Sequence, residues 1–354
     1  MDAAKRADWQ QRWERNIMAD ARNRYCDKEL GEEIGWLMTP FLDGFYYGYM
    51  ATKDPKWAAN LVDWTDAWIK RAVREPDGCV GWPKTGAAGT KVDNLDDFSA
   101  DSLLGEAMVL RPIVLLAAEI LQSPVLKAKH GPKAEGYLKL AEQVFEKWDR
   151  RGAWRDTQDG GMIPVVLPFG IDSRTGQWTA GFGQRNEPGH GFSHPDNKAN
   201  AVAQWLLAMF DATRKPIYQE HAAKWFRVMK SRMKVKDGAR YEIWNYWQPA
   251  GAWDYKPDGS PKHWVGTHPN RGYYEVDVQG IVAAYEHGLV FTKDDIDRLV
   301  ATALAEKRYW TALVPYSPAI QKEFETNHKP DSWGGLGSTP WFLMLQTRLE
   351  SERH

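Results

Sequence analysis

DPKWAANLVDWTDAWIK, residues 54–70, carries Trp57, Leu61, Trp64 and Trp68 at spacings of three and four. That spacing lines one face of a helix with large apolar side chains. Asp54-Pro55 at its start supplies an N-cap side chain and a first-turn proline. The same period recurs outward in both directions. Ile34, Leu37, Met38, Phe41, Leu42, Phe45 and Tyr49 precede it. Leu103, Leu104, Ala107 and Met108 follow, with Pro112 expected to kink or break that helix. Further stripes run through Tyr137–Trp148, Val202–Phe210, Tyr218–Met229 and Val278–Tyr285. Ile296–Leu304 comes behind a Thr292–Asp295 capping box, and Trp341, Phe342 and Leu345 close the series.

Strand-like alternation is scarce; Met162–Phe169 is the one candidate short strand. About ten helices with mostly short joints read as antiparallel hairpins. No tetratricopeptide or ankyrin signature is visible, and neither end of the chain has the polar face of a capping repeat. The expected fold is therefore all-α: a closed (α/α) toroid of about six to seven helical hairpins, with residues 1–354 as a single domain. Three long joints interrupt the rhythm, at Asp77–Ser99, Gly152–Asp196 and Gln248–Tyr273. Long joints inside a compact fold are usually functional. Alternate joints of a helical toroid fall on the same end, so these three are expected to wall one cleft.

Composition narrows the function classes. Lys+Arg is 46 against Asp+Glu 47, so no global charge points to nucleic acid or to a membrane surface. No apolar run is long enough to cross a bilayer. The start, MDAAKRADWQQRWERN, is charged and amphipathic rather than a signal peptide. The expected location is secreted or periplasmic, with any signal peptide absent from this sequence. The two cysteines, Cys26 and Cys79, provide neither a disulfide framework nor a metal spacing. No Walker loop, GxGxxG or GxSxG is present, and no cofactor or metal is expected.

Nineteen tryptophans stand out, beside 14 Tyr and 12 Phe. Most are read as filling between helices, but an indole also stacks on the apolar face of a sugar ring. Trp82, Trp154, Trp178 and Trp253 lie in the long joints and are the expected exposed ones.

Two segments concentrate ionisable and amide groups ahead of a helix. The first is HGFSHPDNKAN, with His190, His194, Asn197 and Asn200. Asn197, Asn200 and Gln204 share one helix face, where amides near a helix N-terminus can hold an anion. Equally, Asp196 or Asn197 can be a simple N-cap. The second is HWVGTHPNRGYYEVD, with His263, His268, Arg271, Tyr273 and Tyr274. Arg271 suits bidentate carboxylate recognition, and a tyrosine can transfer protons beside a cation. A third stretch, YEIWNYWQP, places Trp244 and Tyr246 in a sugar-stacking wall or in the core.

The hairpin pattern together with HPDNKAN and WNYWQP…HPNRGYYEVDVQGIV resembles the α/α-toroid polysaccharide lyases, family 38 in particular, which contains glucuronan and alginate lyases. The resemblance implies β-elimination on an anionic uronic-acid polymer. Asn197 and Arg271 would neutralise the carboxylate. Tyr273 or Tyr274 would act as base or acid, assisted by His194 or His268. Asn200, Trp244, Tyr246, Trp82, Trp178, His190 and Trp253 would contact substrate. A glycoside or unsaturated-uronyl hydrolase on the same architecture is the alternative, needing paired acids. Asp93, Asp96, Asp97, Asp156 and Asp159 are available for that role in the long joints. A non-catalytic oligosaccharide-binding protein and a sugar epimerase complete the set.

Overall fold

The computed structural model describes residues 1–85, 98–167, 170–172, 174–178 and 191–352. Twelve α-helices are described: α1 Ala3–Asp20, α2 Glu33–Leu37, α3 Thr39–Thr52, α4 Pro55–Lys70, α5 Leu103–Gln122 and α6 Pro124–Arg150. The others are α7 Asp196–Thr213, α8 Pro216–Arg232, α9 Gly272–Glu286, α10 Lys293–Ala305, α11 Pro318–Asn327 and α12 Gly335–Ser351.

Local chemistry sets these boundaries. Asp54 accepts from Lys56 N at the start of α4, and Ser102 and Ser123 cap α5 and α6 in the same way. Each such cap is worth about 1 kcal/mol. Proline opens α4, α6, α8 and α11, where a missing N–H costs no hydrogen bond. Thr292 and Asp295 form the capping box of α10. α5 runs through Pro112 to Gln122, so the proline does not end the helix. The first stripe is divided at Met38 into α2 and α3.

The helices close into a ring. α12, α3, α5, α7 and α9 adjoin one another in turn, and a 3-10 segment, Thr311–Tyr316, packs on both α9 and α12 to complete the circuit. α4, α6 and α8 pack outside α3, α5 and α7, and α1 lies against α12. This is the all-α toroid expected from the helical periodicity. Most tryptophans fill its interior: Trp13, Trp57, Trp68, Trp205 and Trp247 are fully enclosed. The Trp13 and Trp57 rings lie 4.7 Å apart, an arrangement that adds to the area each buries.

The joints differ sharply between the two ends. α3 meets α4, α5 meets α6 and α7 meets α8 through one or two residues, with Lys53 and Arg214 in the left-handed region at two of these turns. The described parts of the three long joints gather at the other end, where those of the first and second form small sheets. Lys84–Thr85 pairs with Phe98–Ala100, which pairs in turn with Ile171–Asp172, joining the first long joint to the second. Trp154–Asp156, Met162–Val166 and Phe192–Ser193 make another sheet within the second joint. The strand expected at residues 162–169 is thus present as Met162–Val166. Asp254, from the third joint, accepts from Ser193 N and Ser193 Oγ at 2.6 and 2.7 Å. Among the described residues no helix is long and apolar enough to cross a membrane.

Candidate functional site at the long-joint end

Two centres occupy this end. The first is built on the entry to α7 and the loop before α9. His268, Tyr246 and Tyr273 form a half-buried aromatic shelf, with ring separations of 4.8 Å (Tyr246–His268), 4.7 Å (His268–Tyr273) and 5.5 Å (Tyr246–Tyr273). Trp36 of α2 extends the shelf, 5.8 Å from Tyr273, and His263 lies 5.9 Å from Tyr246. The shelf is fixed from behind, where Asp196 N donates to Tyr246 O at 3.0 Å and Tyr246 N to Gly266 O at 2.7 Å.

His194, Asp196 and Asn197 are buried at the start of α7. Neither Asp196 nor Asn197 caps the helix: Pro195 takes that position without a side-chain bond. Both amide atoms of Asn197 and Nδ1 of His194 have no hydrogen-bond partner. Burial, reinforced by the Lys198 cation, pushes His194 down to about 3, so its imidazole is neutral near pH 7. Burial also raises Asp196 to about 6, against the pull of its ion pair with Arg232.

Tyr274 and Tyr273 face different surroundings. Tyr274 is buried; its hydroxyl accepts from His268 N at 2.8 Å and donates to Trp244 O at 3.2 Å. Tyr273 presents its ring to the shelf. Asn200 lies deeper, donating to Asp277 at 2.7 Å and accepting from Trp225 at 3.0 Å. Trp244 donates to the other Asp277 oxygen at 2.9 Å. A Cβ on Gly280 would fall 2.8 Å from Asn200 Oδ1, so only glycine lets α9 approach α7 this closely. Arg271 is exposed at the rim.

Tryptophan placement corrects part of the sequence reading. Trp253, expected to be exposed, is 8% exposed and donates to Ser193 Oγ at 2.9 Å. Trp244 is buried too, which makes the YEIWNYWQP stretch core at that position. Trp82 is half-buried and stacks on Trp68 at 3.8 Å, while Trp154 and Trp178 are half-buried. The exposed tryptophans are Trp264 and Trp333. His190, Asp93, Asp96 and Asp97 lie outside the described residues. Asp156 is exposed, 3.4 Å from Lys224, and Asp159 borders a cavity of about 280 Å³ on the flank of α8.

The second centre, missed in the sequence, is a buried ion cluster under the first and second long joints. Lys147 of α6 lies 2.6 Å from both Asp101 Oδ2 and Glu106 Oε1. Arg151 contacts Glu75 at 2.7 Å, Asp77 at 2.9 Å and Asp101 at 3.2 Å. Glu75 is pushed up to about 9 by burial and by the neighbouring Asp101. Burial opposes ionisation of Asp101 as well, but Lys147, the hydrogen bond with Glu75 and Arg151 outweigh it and hold it low. The two carboxyl groups converge on Gly81, whose Cβ would sit 2.4 Å from an oxygen of each. These residues are scattered over the chain at no motif spacing, and nothing in the sequence singles them out. At the start of α2, Glu33 pairs with Lys84 of the first long joint at 3.0 Å, and the preceding Glu32 pairs with Lys198 of α7.

No family profile matches the sequence, and no curated protein matches it significantly. Solved structures do match. A glycoside hydrolase family 76 protein (mannosidase) from Bacteroides thetaiotaomicron superposes with a TM-score of 0.54 at 12% identity, covering 98% of this chain and 100% of its own. The family 76 α-1,6-mannanase of a Salegentibacter species gives 0.53 at 11% identity, covering 96% and 99%. An inactive variant of that mannanase, with two consecutive aspartates changed to alanine and α-1,6-mannotetraose bound, gives 0.53 at 12%, again covering 96% and 99%. These likenesses correct the resemblance to family 38: the matching structures are hydrolases, so the assignment as a lyase performing β-elimination on glucuronan or alginate does not stand. At such identities they establish the fold, a toroid shared along almost the whole chain.

Proposed function

We propose that this chain is a glycoside hydrolase acting on a polysaccharide, with α-1,6-linked mannose chains as the substrate class and Asp96 and Asp97 as its paired acids. The observation that carries the reading is an aspartate pair set in a long joint of a toroid whose solved neighbours are mannan hydrolases. The sequence holds two Asp-Asp pairs. One, Asp294-Asp295, is committed to structure, since Asp295 is buried in the capping box of α10 and bound by Lys230 at 2.8 Å. The other, Asp96-Asp97, stands immediately before the strand Phe98–Ala100. In the mannanase, the variant lacking two consecutive aspartates is inactive.

The chemistry fits a pair of this kind. One carboxylic acid protonates the leaving glycosidic oxygen, and a second carboxylate attacks the anomeric carbon or activates water. Cα atoms of consecutive residues are about 3.8 Å apart, which permits the ~5–5.5 Å carboxyl separation of a retaining enzyme. The anchoring of Asp101 to Lys147 and Arg151 supports such a role by holding the chain just beyond the pair. The aromatic shelf of Tyr246, Tyr273 and Trp36 offers flat apolar faces to sugar rings on the same end.

Incubation with α-1,6-mannan and α-1,6-mannotetraose, followed by new reducing ends, tests the reading. Release of reducing ends is expected, and Asp96→Asn and Asp97→Asn should each cut it by about 10²–10⁴-fold. Unchanged hydrolysis in both variants would remove the pair from the chemistry, and absence of hydrolysis would remove the mannan assignment.

A further inference from the structure

His268 of the aromatic shelf also borders a cavity of about 400 Å³. Its walls carry three cations, Lys236, Arg240 and Arg308, against two carboxylates, Glu242 and Glu306. Arg308 is the unusual member. Its guanidinium stands over the Tyr274 ring, 4.9 Å from the centroid, and its Nε and Nη1 are buried with no hydrogen-bond partner. No carboxylate among the described residues forms an ion pair with it. Burial and the nearby Arg271 cation lower its affinity for its own proton, against the opposing pull of Tyr274 and Glu306. Buried N–H donors without acceptors are costly, and a planar guanidinium fork is matched by an oxyanion.

We infer that this cavity binds an oxyanion, a phosphate or carboxylate group borne on a saccharide, with Arg308 as the principal ligand and Lys236 and Arg240 as rim charges. The saccharide part of the inference rests on the hydrolase reading; the oxyanion part does not. His268 connects the two, because it borders the cavity and also lies 4.7 Å, ring to ring, from Tyr273 on the shelf. A sugar stacked on the shelf is thus placed with a charged substituent towards the cavity.

Calorimetric titration of the full chain tests this, with inorganic phosphate, mannose 6-phosphate, methyl glucuronoside and plain mannose as probes. Saturable binding is expected for at least one anion and should be tighter than for mannose; the preference between phosphate ester and uronate identifies the group's source. Arg308→Lys keeps the charge but loses the fork and should weaken binding by at least about tenfold. The double variant Lys236→Gln/Arg240→Gln changes only the rim, so it tests the site without disturbing the core, and should weaken binding and flatten its salt dependence. No saturable binding of any anion, mannose bound as tightly as its phosphate, or unchanged affinity in both variants would overturn the inference. Binding is read without turnover, so Asp96→Asn and Asp97→Asn should leave it intact whether or not they abolish hydrolysis.

Discussion

Lys147 Nζ lies 2.6 Å from Asp101 Oδ2, and both groups are almost wholly removed from water. That pair fastens the end of the strand Phe98–Ala100 to α6. Three carboxyl groups, of Glu75, Asp101 and Glu106, share the Lys147 cation with help from Arg151. Taking away the Lys147 cation leaves Arg151 to offset Glu75 and Asp101 and strips Glu106 of its ion pair. Lys147→Met is expected to cost about 3–5 kcal/mol in urea denaturation, far more than the loss of an exposed pair such as Lys293–Asp297.

Asp295 gives a pH dependence of defined sign. Burial alone would raise it, but hydrogen bonds from Lys230, Tyr241 and Thr292 prevail and bring it to about 2. An unfolded aspartate titrates near 3.9. The folded state therefore releases this proton more readily, and the stabilisation is full above about pH 4 and lost as pH falls through about 2. The difference in Tm between wild type and Asp295→Asn should be widest at neutral pH and should close on acidification. A gap that widens towards pH 2 would contradict the assignment.

The neighbouring tyrosines should separate by experiment. Tyr274→Phe removes a buried hydroxyl bonded to His268 N and Trp244 O, and should cost about 1–2 kcal/mol of stability. Tyr273→Phe should leave the denaturation midpoint almost unchanged and show its effect in KM for an oligosaccharide.

Asn197 and Asn200 lie one turn apart on α7 and should respond very unequally. Asn200→Ala strands Asp277 and Trp225 and should cost about 2–3 kcal/mol. Asn197→Ala removes an amide that nothing satisfies, so its cost in denaturation should stay within about 0.5 kcal/mol. A ligand-induced rise in Tm that survives in wild type but not in Asn197→Ala would place that amide against substrate.

Periodicity revealed the ring because a helix must turn its apolar stripe inward every 3.6 residues, as Trp57, Leu61, Trp64 and Trp68 do. Caps such as Asp54 and Thr292 were legible for the same local reason. The convergence of the three long joints followed from counting antiparallel helices. The contents of that end were less legible. Tyr273 and Tyr274 are adjacent letters with different environments, and Trp253 has the composition of an exposed joint but packs against Ser193. Glu75, Asp101 and Lys147 are brought together by tertiary packing alone, so no spacing announces them. The lyase motifs misled for a related reason: histidine, arginine and tyrosine before a helix suit several chemistries, and side-chain types alone do not choose among them.

The contrast between the two ends gives the molecule a handle. Turns of one or two residues, such as Arg214–Lys215, close the end away from the long joints. A tether attached there would orient every copy with its shelf and cation-lined cavity outward, facing an insoluble polymer. Attachment through the long joints would turn the same surface towards the support and hide it.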